Sequence, residues 1–150
     1  MHVYIDADAC PVKDETYKVA ARYGLATTVV SNSFIQIPAS KLIDRMIVDA
    51  GPDVADDWIA ERCEAGDIVV TNDIPLAERV LKAGGAAIAP NGRLFTPDSI
   101  GSALAGRAIG EHMRSIGEVT GGPSPFAAGD RSRFLQALDE AVNREKRRKR

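Results

Sequence analysis

Five aspartates fall where a hydrolytic centre would need them. Asp6 and Asp8 flank Ala7 at the end of the run HVYID, Asp73 ends the run DIVVTND, and Asp56 and Asp57 stand in GPDVADDWIAE. Asp53 joins the last two at i, i+3 and i+4 spacing, which puts three carboxylates on one side of the first turns of a helix. Like charges held so close repel one another unless a cation sits among them. An all-oxygen set without Cys or His suits Mg²⁺ or Mn²⁺. One or two such ions, about 3.5–4 Å apart when paired, activate a water and neutralise charge building up on a phosphodiester. Asp6, Asp56, Asp57 and Asp73 are the expected ligands, with Asp8 as a further carboxylate that tunes or joins the cluster.

Each position also has a structural reading. Asp8 and Asp73 could cap helices, and Asp53, Asp56 and Asp57 could be acidic residues favoured at the positive end of a helix dipole. Asp6 is different, because it should sit inside the end of a strand, where capping does not explain it. Ser31 and Asn32 at the second strand exit, and Thr71 and Asn72 before Asp73, lie on the same expected edge as substrate-binding residues for a phosphate oxygen. Lys13, Arg45 and Arg131 are either further phosphate contacts or simply solvated. Cys10 reads as a small buried residue, His2 as a strand-edge residue and His112 as a helix-surface residue.

The elements that must position these groups alternate. HVYID is a β-type run ending at Asp6, and PVKDETYKVAARYG is a helix closed by Gly24. LATTVVS is a second strand. The stretch from Ser31 to Gly51 mixes apolar residues without a clean period, with a strand expected around Arg45 to Val48. GPDVADDWIAERCEAG is a helix with Pro52 near its start and Val54, Ile59 and Cys63 facing inward. DIVVTND is a buried strand, IPLAERVLKAGG a helix and AAIAP a short strand. TPDSIGSALAGRAIGEHMRSIG is a helix capped by Thr96 or Asp98, with Ile100, Leu104, Ile109 and Met113 on one side. GGPSPFAAG is a loop that folds over the site or merely connects, and DRSRFLQALDEAVNREKRRKR is a terminal amphipathic helix. Strands alternating with helices argue for an α/β three-layer domain, a central, mainly parallel sheet with helices on both faces. Ligands then bind outside the carboxyl ends of the strands, where the aspartates lie.

A chain of 150 residues, 45% hydrophobic and 27% charged, is the size of one domain with one core. Residues 143–150 carry six Lys/Arg against one Glu, which leaves residues 1–142 at net −7. We therefore expect one domain over 1–142 and a basic tail over 143–150, an arrangement that gathers cations on the body and can touch a polyanion at one end. The same tail also reads as a helix end that complements its own dipole. Two cysteines make no disulfide framework, so no disulfide-linked partner is expected. No apolar run reaches the roughly 18 residues of a membrane span and no secretory signal opens the chain, so a cytoplasmic protein is expected.

DADACPVK, SNS, GPDVADDWIAE, TNDIPLA and GGPSPF followed by DRSRF together resemble the YaiI/YqxD family of bacterial proteins, across nearly the whole chain. That family is in turn similar to the PIN-like nucleases. The resemblance implies a three-layer PIN-like domain with a Mg²⁺- or Mn²⁺-dependent acidic site acting on RNA. In it Asp6 matches the aspartate ending strand one, Asp73 the later strand exit, and Asp56 and Asp57 the acidic helix start. The further downstream acidic residue of many PIN domains has no match in AAIAPNGRLFTPDS. Two other readings compete. A haloacid-dehalogenase-like phosphatase would use Asp6 as nucleophile, Asp8 as acid/base and Ser31 for phosphate. A non-catalytic RNA- or partner-binding module would keep the scaffold without turnover.

Overall fold

A computed structural model describes residues 1–7, 10–51, 53–101 and 128–148. The strands are β1 (His2–Asp6), β2 (Ala26–Ser31), β3 (Ile43–Ile47), β4 (Ile68–Val70) and β5 (Ala86–Ile88). The helices are α1 (Lys13–Tyr23), α2 (Val54–Arg62), α3 (Ile74–Lys82), a helical segment α4 over 97–101, and α5 (Ala128–Arg148). The strands form one sheet in the order β3-β2-β1-β4-β5, every pair parallel. Chain order reverses direction between β1 and β4, so the crevice at their carboxyl ends is the natural ligand position of such a sheet.

Strand alternation divides the core in two. Val3, Ile5, Val29, Val70 and Ile88 pack against Val19 and Ala20 of α1 and Phe134, Leu138 and Val142 of α5. Tyr4, Val30 and Val69 point the other way, onto Ile59 of α2, Leu76 and Val80 of α3, and Ile100. The three-layer α/β architecture expected from the alternation of elements is the one observed. β1 ends at Asp6 as its composition implies, and α1 stops at Gly24, whose left-handed φ of 65° lets Leu25 N–H reach Ala20 O at 2.8 Å. Thr96 closes the start of α4 reciprocally with Ser99, each side-chain oxygen accepting from the other's backbone N–H. The cap therefore falls on Thr96, not Asp98.

β3 begins two residues earlier than the sequence pattern indicates. It is an edge strand whose residues are mostly exposed, so no inward-facing alternation marks it. The basic end is continuous with α5, which runs through Arg148 and buries Glu145 against its own Arg148. α5 is fastened to α1 by polar contacts as well as by its core residues. The Tyr23 hydroxyl donates to Asp139 Oδ1 at 2.6 Å, Arg22 reaches the same oxygen at 2.9 Å, and Arg131 bonds Pro11 O and Glu15 Oε1. Gly92 permits the approach from the β5 side, since a Cβ there would lie 2.8 Å from the Arg133 carbonyl carbon.

At the amino edge of the sheet a buried carboxylate, Asp67, accepts the N–H groups of His2 and Glu64, both at 2.9 Å. Cys10 and Cys63 are free and buried, in different cores. Burial pushes both thiols up in pKa, Cys63 to about 11. Among the described residues no helix is long and apolar enough to cross a membrane.

Candidate functional site

β1 and β4 are adjacent, so the side chains leaving their carboxyl ends on the same face must meet. Ile5 is in register with Val70, which sets Asp6 beside Thr71. The Thr71 hydroxyl donates to Asp6 Oδ2 at 2.8 Å and accepts the N–H of Asp73 at 2.9 Å. One buried hydroxyl thus fixes the Asp6 rotamer and the backbone of the turn that carries Asp73. Asp73 in turn caps α3, its Oδ1 accepting Leu76 N–H at 2.8 Å. The capping reading of Asp73 is realised, and it leaves the second carboxylate oxygen for other partners.

That partner is Asp56. From the first turn of α2 it shares a hydrogen bond with Asp73, and the charges of Asp73, Asp6 and Asp53 all act on it. Burial foremost, then Asp73 and Asp6, push its carboxyl up from 3.8 to about 7. Three carboxylates from three separate chain segments therefore approach one another at the reversal point of the sheet, and their mutual repulsion raises the proton affinity of Asp56. A divalent cation would relieve that repulsion, and an all-carboxylate set has the chemistry for a hard ion. Among the described residues, no three His, Cys, Asp or Glu side chains are grouped so as to hold an ion as they stand.

Other expected site residues are placed differently. Asp57 points to α3, where its Oδ1 lies 2.6 Å from Arg79 Nη1 in an exposed ion pair. Adjacent helical residues diverge by about 100°, so Asp56 and Asp57 cannot both face Asp6. Asp53 is the N-cap of α2 in a left-handed conformation, φ 67°, without a side-chain cap bond. Asp8 lies outside the described residues, as do Pro52, Leu104, Ile109, His112, Met113 and the GGPSPF loop. Thr71 is buried with its hydroxyl committed on both sides, and so holds the carboxylates in place. Ser31 is likewise buried and donates to Ser33 O at 2.6 Å. Asn32 and Asn72 are exposed at the same edge. Lys13 bonds Cys10 O at 2.7 Å, and His2 Nε2 lies 2.7 Å from Thr28 Oγ1. Burial holds the His2 imidazole below its usual pKa.

The role of Thr71 as a link between Asp6 and Asp73 was the part of the site hidden from sequence reasoning. The only signal was its position two residues before Asp73 at a strand exit, which many unremarkable threonines share.

Comparison with known proteins adds a family. The model described as "Uncharacterized BCR, YaiI/YqxD family" matches residues 4–144. A UPF0178 protein of Caulobacter vibrioides strain NA1000 is 72% identical over 145 residues, covering 97% of this chain and 95% of its own. UPF0178 proteins of Rhodopseudomonas palustris strain CGA009 and Bradyrhizobium diazoefficiens are 58% and 56% identical over 147 residues, covering 98% of this chain and 93% and 88% of theirs. No solved structure matches the chain.

Proposed function

The chain belongs to the YaiI/YqxD family, and from that premise we propose that it is a Mg²⁺- or Mn²⁺-dependent nuclease that hydrolyses phosphodiesters in RNA. The observation that carries this reading is the convergence of Asp6, Asp56 and Asp73 at the carboxyl-edge crevice between β1 and β4. These three would hold the ion, and Asp57, paired with Arg79, lies outside the set. When bound, the ion supplies charge neutralisation at the phosphoryl oxygens and a lowered water pKa.

The chain's own residues do the rest. Thr71 keeps Asp6 and the Asp73 turn at fixed separation, so little reorganisation is left for the moment of binding. Asp56, its carboxyl pushed up to about 7 by burial and its neighbours, must be ionised to ligate, so cation affinity should rise with pH through that range. Exposed Asn32 and Asn72 flank the crevice as hydrogen-bonding partners for a phosphate. The phosphatase reading is weaker, because the Ser31 hydroxyl it needs is buried and committed to Ser33 O.

Thermal melting of EDTA-stripped protein with added Mn²⁺, followed by incubation with single-stranded RNA, tests the proposal. Mn²⁺ at 100 times its Kd should stabilise the wild type by about 2.7 kcal/mol and permit cleavage, while Asp6→Asn and Asp73→Asn lose both effects. A wild-type melt indifferent to Mn²⁺ and Mg²⁺, with RNA left intact, overturns it.

A further inference from the structure

The large apolar side chains most exposed among the described residues are Phe34 (66%), Leu42, Met46 and Ile47. All four belong to β3 or to the segment leading into it. Concentration of that kind marks a contact surface, whereas single exposed apolar residues do not. Ile47 leaves β3 on the same face as Arg45 and Met46 on the opposite one, and the most exposed of the four is Phe34. The Arg45 guanidinium lies over its ring, 4.3 Å from the centroid, and donates from Nη1 to Ile35 O at 3.4 Å. Among the described residues no carboxylate pairs with Arg45. Its charge is therefore held against an aromatic face and still available to an anion.

Charge and position identify the occupant. Residues 32–43 contain Lys41 and no acidic residue. Asp44 neighbours Arg45 on β3 but points to the opposite face, where its charge acts on His2. Asp6, Val30 and Met46 are in register across β1, β2 and β3, so the carboxyl end of β3 lies two strand spacings, about 10 Å, from Asp6; Arg45, paired with Val29, leaves the sheet on the other face, beside α1. The same loop continues to Gln36, which with Cys10, Lys13, Asp14 and Tyr17 lines a cavity of about 230 Å³. The buried Tyr17 hydroxyl there has no hydrogen-bond partner. An open aromatic face, a cation stacked on it and a cavity lined with donors and acceptors fit stacked bases on a phosphate backbone. They fit an apolar protein partner less well.

We propose that Phe34 and Arg45 form a base-stacking platform on the α1 side of the sheet for single-stranded RNA that passes over the carboxyl edge into the Asp6–Asp56–Asp73 crevice. One base lies on the face of Phe34 away from Arg45, and the guanidinium meets the adjacent phosphate. The choice of ligand rests on the nuclease reading, whereas the test does not depend on catalysis.

Fluorescein-labelled oligouridylate is titrated with the full chain in EDTA and followed by anisotropy. Phe34→Ala should weaken binding by roughly 5- to 150-fold, the range for loss of one stacked base, and Phe34→Trp should bind at least as tightly as wild type. Arg45→Gln should weaken binding and flatten the log–log salt dependence by about 0.7, one single-strand phosphate contact. Because both side chains are exposed, the melting temperatures should stay at the wild-type value. Wild-type affinity for RNA that is absent, equal for duplex, or unchanged in Phe34→Ala overturns the platform. So does a Trp variant no better than Ala. Sedimentation in which Phe34→Ala turns a dimer into a monomer while RNA affinity stays intact would instead assign the patch to self-association and also overturn it. RNA binding that depends on Phe34 without any cleavage in Mn²⁺ sinks the nuclease reading and leaves the platform standing.

Discussion

Replacing Asp56 by Asn should stabilise the metal-free protein at alkaline pH. The side-chain amide keeps the shape and can donate to Asp73, while the charge repelled by Asp73 and Asp6 disappears. A carboxyl moved from 3.8 to about 7 corresponds to a ceiling of about 4 kcal/mol, each tenfold in proton affinity being worth about 1.4 kcal/mol. Asp56 is only partly buried, and water screens its neighbours' charges, so about 1–1.5 kcal/mol should survive. For a chain of this size that is a rise of about 2–6 °C in melting temperature. The direction with pH follows from linkage. The folded state holds the Asp56 proton more tightly than the unfolded chain, so the penalty on the wild type is absent below pH 3.8, grows as pH rises, and is complete above about 7. The two proteins should therefore melt together at low pH and separate through the neutral range. Saturating Mn²⁺ should reverse the order, raising the wild type and leaving the variant behind. Melting curves at a series of pH values, in EDTA and in Mn²⁺, measure all of this. A variant that melts at or below the wild type at alkaline pH in EDTA refutes the reasoning.

Other parts of the structure give their own expectations. Thr71→Val removes both hydrogen bonds of a buried hydroxyl and should cost about 1–3 kcal/mol in urea unfolding, with Thr71→Ser recovering most of it. Asp67→Ala leaves the His2 and Glu64 N–H groups without their acceptor at the far edge of the sheet. We expect a loss of about 2–4 kcal/mol there with no effect on the Mn²⁺ shift, which separates structural from functional aspartates. Arg131→Met strips the nearly buried Glu15 of its cation and should lower stability by about 1–2 kcal/mol in the same assay, because Arg131 itself is half exposed.

Much of the scaffold was legible because its signals are local. Gly24, the apolar run at Ile68–Val70 and the Thr96 cap act within a few residues of themselves, and the alternation of elements specified the layers. β3 was harder to delimit, since an edge strand exposed along its length carries no inward face to read. At the site, Asp6 and Asp73 were legible as strand-exit carboxylates. The split between Asp56 and Asp57 was not, because neighbouring helical residues diverge by about 100° and the sequence does not say which of the two faces β1, whereas the ion pair of Asp57 with Arg79 on α3 does. The Thr71 link was invisible for the same reason, since it joins residues 65 positions apart. Likewise Ser31 and Thr71 have the right type and the right edge to meet a ligand, but burial gives their hydroxyls to the protein.

The attachment of α5 to α1 has a consequence for synthesis. The partners Tyr23 and Asp139 are separated by 116 residues. At roughly 5–20 residues per second a ribosome needs on the order of 10 s to make that interval. Throughout it, among the described residues only α1 covers the sheet face that later receives Phe134, Leu138 and Val142. The nascent chain therefore presents a greasy flank until its final helix emerges, and a message broken before codon 134 would yield a product marked for chaperone capture or degradation.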